Sequence, residues 1–216
     1  RNAWDKTVGF SEQFNNPGVF TALIGFEWTS SPNGNNLHRV VMFRDGAERA
    51  KQIVPFSGFD SDDPEDLWAW LQAYEDKTGG RTMAFAHNGN WGTGMMFALE
   101  RMNGKRIDRA YAEKRMRWEP VYEATLIKGD SEAHPLLSPN DEFADFGTWD
   151  KGDVGGRNAI TKEMLPHQYV RSALRWGQQQ EAKLGVNPFK FGLIGSTDAH
   201  TSLPTTRADN CFGQNP

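Results

Sequence analysis

Residues 191–202 read FGLIGSTDAHTS. An apolar run from Phe189 to Thr197 closes on Gly195 and Ser196. An acid and an imidazole, Asp198 and His200, then follow two residues apart. A short apolar run bounded by glycine and polar residues predicts a buried strand. In α/β sheets and barrels, ligands gather just outside the carboxyl ends of the strands. Residues i and i+2 of an extended segment point to the same side, so Asp198 and His200 are expected to reach one centre. The plainer reading is that Asp198 caps a helix beginning near Ala199.

The rest of the chain supports the same reading. Four further segments are expected to be strands: Thr21–Trp28, His38–Phe43, Thr82–His87 and Pro120–Ile127. Each is short and apolar on both faces, as strands covered by helices are. Helical patterns lie between them. Pro64–Lys77 opens with Asp63 as N-cap and Pro64 in the first turn, and Gly79 and Gly80 stop it. Leu67, Trp68, Leu71 and Tyr74 share one face of it. Thr93–Met102, Asp108–Trp118 and Pro166–Leu184 are three more expected helices. Ser30–Leu37 and the long Ser131–Lys162 stretch read as loops, and a long ordered loop often carries function. Strands alternating with helices predict an α/β fold of mostly parallel strands with surrounding helices.

Composition bounds the function. The 216 residues are 38% hydrophobic and 24% charged, a globular balance sufficient for one domain over residues 1–216. The net charge is −4 with Lys and Arg scattered, so no basic patch argues for nucleic acid. No apolar run approaches the ~18 residues of a membrane span. The single cysteine, Cys211, excludes an internal disulfide and a cysteine-based zinc site. The composition leaves the compartment open.

Five histidines carry most of the remaining signal: His38, His87, His134, His167 and His200. All but His167 fall at strand ends or in the loops just after strands, whereas His167 reads as a surface residue. Glu27 places an acid inside the apolar run ALIGFEW. A buried carboxylate needs a partner or a metal, and an arginine would serve as well as a cation. Imidazole and carboxylate together are the N/O ligands of Zn, Mn or Fe. Two such cations can hold the attacking water and the leaving oxygen of a phosphoester. The glycines of HNGNWGTG (residues 87–94) can equally be a simple turn.

The blocks GFEW, GNNLHRVVMF, AHNGN, YEATLIKGDSEAHP, GVNPFKFGLIGSTDAHT and LPTTRADN, in this order, resemble the signature of the DUF3604 family. That family is related to the PHP (polymerase and histidinol phosphatase) superfamily of metal-dependent phosphoesterases. The resemblance implies a distorted β/α barrel, PHP-like and here partial, with one to three divalent metals at the C-terminal strand ends. It assigns Glu27, His38, His87, Asp198 and His200 as metal ligands. Asp198 and His200 are also its catalytic pair, and Glu123 shapes the floor. Asn88 stands where the His-Pro-type motif has proline. His134, Arg39, Lys128 and Arg207 are expected to contact a small anionic substrate, possible phosphoesters being the first class to test. PHP domains open with an H-x-H strand that this sequence lacks. The resemblance therefore implies a fragment whose site is partly built and whose exposed sheet edge pairs with a second copy. Three readings stay open: a metal-dependent, phosphoesterase-like hydrolase, a non-catalytic module that keeps part of the metal site, or a plain structural domain whose histidines only satisfy buried hydrogen bonds.

Overall fold

The computed structural model describes residues 1–200. Its centre is one six-stranded sheet: β1 (Gly25–Trp28), β2 (Arg39–Phe43), β3 (Thr82–Ala86), β4 (Val121–Leu126), β5 (Gly129–Asp130) and β6 (Gly192–Gly195). The first five strands follow that order across the sheet, and β6 also pairs with β4. β3 and β6 run parallel to β4, but β1–β2, β2–β3 and β4–β5 are antiparallel.

The expected mostly parallel barrel is therefore corrected to an open, mixed sheet. The reason is partly the length of a connection. Residues 29–38 join β1 to β2, and a parallel crossover needs about a dozen residues or more.

The helices are α1 (Asn2–Phe14), α2 (Ala47–Ala50), α3 (Pro64–Thr78), α4 (Arg109–Trp118) and α5 (Val170–Leu184). Both α3 and α4 start as their sequences dictate. The Asp63 carboxylate accepts from Glu65 N (2.9 Å), and the Asp108 carboxylate accepts from Tyr111 N (2.9 Å). Gly79 ends α3 in the left-handed region, at φ 65°. The proline-led start of the last helical pattern is instead a 3-10 turn, Leu165–His167, ahead of α5.

The expected helix over Thr93–Met102 is absent. Thr93 (φ 44°) and Gly94 (φ 85°) are both left-handed, which breaks the α-helical path at its first turn. The helix α1 has no counterpart among the expected elements. Trp4 and Val8, one turn apart, bury its inner face, and Trp4 Nε1 donates to Ala50 O (3.0 Å).

Helices α3, α4 and α5 all pack on the same sheet face. That face carries Trp28, Val41, Ala84, Ala86 and Tyr122, which meet Leu67, Trp68, Tyr111, Val170 and Ala173 in two core clusters. Strand β2 alternates fully buried and half-buried residues, so it is not covered equally on both sides. By register, Glu27 shares the opposite face with Val40, Phe85, Val121 and Ile194. The candidate site lies on this second, less covered face.

Candidate metal centre

Three neighbouring strands bring the site together. Glu27 lies in β1 opposite Val40 of β2, His38 immediately precedes β2, and His87 immediately follows β3. Strand alternation puts all three on one face. One ligand atom from each lies within 4.8 Å of the others. Glu27 Oε1 is 2.8 Å from His38 Nδ1 and 3.2 Å from His87 Nε2. The imidazole rings meet edge-on at 5.9 Å.

The surroundings of each side chain set its role. His38 Nε2 pairs with Ser31 Oγ (3.0 Å), and Ser31 N donates to the Asp62 carboxylate (3.1 Å). His87 is buried, and its 3.2 Å approach to Glu27 is out of line for a hydrogen bond. Both of its ring nitrogens are thus buried without a hydrogen-bond partner among the described residues. The neighbouring Asn88 amide is buried in the same condition. Burial alone would raise the Glu27 carboxyl. The hydrogen bond from His38 and the close approach of both imidazoles outweigh it and hold the group well below the usual carboxylate range.

The turn after β3 fixes His87. Asn88 is left-handed at φ 54°, which turns the chain sharply past the imidazole. Gly89 N donates to Tyr122 Oη (2.9 Å), and a Cβ on Gly89 would stand 2.4 Å from Gln168 O. No side chain fits there, so this glycine is more than a generic turn residue. Asn90 Nδ2 ties the loop to Lys128 O (3.1 Å) and Trp149 O (2.9 Å).

The set fits a divalent cation on chemical grounds. It offers one carboxylate and two imidazoles, and His87 brings buried nitrogens that nothing else satisfies. The Glu27 side chain keeps 31% exposure and opens on a 470 Å³ cavity lined by Thr29, Ser31, Ser57, Phe59 and Asp62.

The other residues singled out in the sequence take different places. Asp198 does not extend β6. Its φ is 47°, so the same-side argument for Asp198 and His200 fails, because that argument needs extended backbone. The helix expected to begin near Ala199 would run into residues 201–216, outside the described residues. The Asp198 carboxylate pairs with Lys128 Nζ, and His200 Nδ1 lies 2.9 Å from the Asp198 carbonyl. Neither joins the three-residue cluster.

His134 is engaged at both nitrogens, by Asp150 Oδ2 (2.8 Å) and by Leu136 N (3.2 Å). Arg39 points into the core on the opposite face, paired with Glu119 (3.0 Å). His167 is half-buried, with Nδ1 3.0 Å from Phe97 O and its ring stacked on Trp176. Arg207 lies outside the described residues.

One contributor escaped the sequence reading of the site. Ser31 orients His38 from a stretch that read only as a polar loop. Glu123 lies where the resemblance expects it, buried beside the cluster, and that burial raises its carboxyl despite the Ser196 hydroxyl bonded to it and the charge of nearby His87. Asp198 and Lys128 lie near enough to act on it as well. By register Glu123 shares the sheet face of Val121 and Phe85.

The family model described as a protein of unknown function, DUF3604, matches residues 1–216, so the chain belongs to that family. No curated protein and no solved structure matches it.

Proposed function

We propose that this protein is a metal-dependent hydrolase, phosphoesterase-like in its reaction and akin to the PHP group its sequence resembles. The observation that carries the reading is the pairing of Glu27 with two imidazoles, one of them buried with unsatisfied nitrogens. A Zn, Mn or Fe ion bound there would supply Lewis acidity, polarising a phosphoryl oxygen and acidifying water.

The chain's own residues do the rest. Glu27 supplies the negative charge and stays ionised at neutral pH. Ser31 holds the His38 ring, which directs Nδ1 at the site and leaves Nε2 to the hydroxyl. The cavity beside Glu27 has room for a small-molecule substrate. At the adjoining strand end Lys128 offers positive charge to an anionic group, and Asp198 can accept a proton once that ammonium is drawn away.

The test is hydrolysis of p-nitrophenyl phosphate by the purified chain with Mn, Zn or Fe(II). Metal-dependent turnover that disappears in Glu27→Gln and in Asp198→Ala supports the reading. No turnover with any of the three metals would sink it.

A second reading is a non-catalytic metal-binding module. The Lys128–Asp198 pair favours it, because the expected catalytic carboxylate is already neutralised. It predicts metal binding without turnover.

A further inference from the structure

On the helix-covered face of the sheet, away from the Glu27 cluster, two arginines are buried almost completely. Arg39 is 1% exposed and Arg115 is 3% exposed. Both turn to the same carboxylate. Arg39 Nε donates to Glu119 Oε1 (3.0 Å), and Arg115 Nε is 3.4 Å from Glu119 Oε2. Glu119 is the only acid within ion-pairing distance of either guanidinium among the described residues. Its charge is already shared further, since Trp68 Nε1 donates to the same Oε1 (3.0 Å).

Two cations against one anion leave one positive charge uncompensated in the core. An unpaired buried charge is expensive, so such groups are normally paired. Arg115 is also incompletely hydrogen-bonded, since its contact with Glu119 is an ion pair at 3.4 Å and not a hydrogen bond. Its Nη2 donates to Met96 O (2.9 Å), but its buried Nε has no hydrogen-bond partner among the described residues. Phe189 lies under the guanidinium at 4.7 Å, a contact that softens the cost without supplying an acceptor.

Both arginines line a 330 Å³ cavity. Its remaining wall is largely apolar and adaptable, including Leu37, Met95, Met96 and Tyr111. Arg101 also lines it, paired with Asp108 and Glu65, as do the less buried carboxylates Asp63 and Glu100, neither of which reaches Arg39 or Arg115. The uncompensated charge is the buried one shared by the Arg39 and Arg115 guanidiniums.

We propose that this cavity binds a small monocarboxylate with an apolar body. The carboxylate pairs with the Arg115 guanidinium and completes the charge balance, and the body packs on the methionines and Tyr111. One net charge calls for a monoanion, and the planar fork of arginine matches a carboxylate. The apolar wall selects against inorganic phosphate and other fully hydrated ions. This site is independent of the metal-centre reading.

Octanoate is the probe and octanol its neutral counterpart, titrated into the purified full chain by calorimetry. The expected result is saturable one-to-one octanoate binding with a Kd below about 1 mM, and octanol weaker by about tenfold or more. Arg115→Met leaves a balanced Arg39–Glu119 pair and should lose octanoate affinity by a similar factor. Ala98→Phe fills the cavity with its charges intact and should do the same, so the test stands if the first variant does not fold. Glu27→Gln should leave octanoate affinity unchanged. Equal binding of octanol, absence of saturable octanoate binding, unchanged affinity in the cavity variants, or loss of binding in Glu27→Gln would each overturn the proposal.

Discussion

The Glu27–His38–His87 cluster and the Asp198–His200 pair were expected to be two halves of one site, and the structure treats them differently. The first is carried on or beside three hydrogen-bonded strands, and the register fixes which side chains meet. The second sits beyond the end of β6, where Asp198 turns left-handed and its carboxylate takes Lys128 as partner. Strand-borne ligands are pre-positioned by backbone pairing that exists without the metal. Loop-borne ones settle on whatever local charge is available.

The strongest way to break this contrast is Glu27→Gln. Losing the shared anion should lower zinc affinity beyond the roughly 10–100-fold that outer-shell changes cost, read by competition with a chelating dye. An affinity unchanged by this substitution would move the metal elsewhere.

His87→Phe separates stability from binding. It removes buried nitrogens that lack partners, so the metal-free chain should gain ~1 kcal/mol or more in chemical denaturation. The same variant should no longer bind zinc. A stability loss would mean that the imidazole is already satisfied within the fold.

A smaller effect is expected from Ser31→Ala, which frees the His38 ring. Zinc affinity should fall by about tenfold with little change in Tm.

The gentlest probe is acid titration followed by carboxyl NMR shifts. Glu27 is lowered from 4.5 and Glu123 is raised from 4.5, although they share a sheet face. For Glu27 the folded value lies below the unfolded one. Its contribution to stability is therefore present above about pH 4.5 and is lost as pH falls through the folded value. For Glu123 the sign reverses, and its protonation in the folded state favours folding as pH falls through its raised value toward 4.5. Coincident titration of the two groups would contradict the geometry.

Legibility in the sequence followed the same division. Helices α3 and α4 were readable because Asp63, Pro64, Gly79 and Asp108 carry local capping chemistry. The meeting of Glu27, His38 and His87 was readable because an acid in an apolar strand and histidines at strand ends are locally unusual. Strand direction was not readable. Apolar runs such as TMAFA and VYEATL look alike whether their neighbours run parallel or antiparallel, so the mixed sheet was missed.

The Thr93–Met102 segment carries helix-forming residues, but left-handed backbone at Thr93 and Gly94 overrides their propensity. Arg39 shows the limit of reading charge alone. It stands next to His38 in sequence, yet alternation sends it through the sheet to Glu119. The shared burial of Arg39 and Arg115 depends on residues 80 apart, counting from Arg39 to Glu119, and no local pattern announces it.

The most direct measurement is anomalous diffraction from crystals of the chain grown with zinc or manganese. The account predicts one peak within about 2.0–2.2 Å of a Glu27 carboxylate oxygen, His38 Nδ1 and a ring nitrogen of His87. A metal bound only at Asp198 and His200, or no peak beside Glu27 at saturating metal, would contradict it.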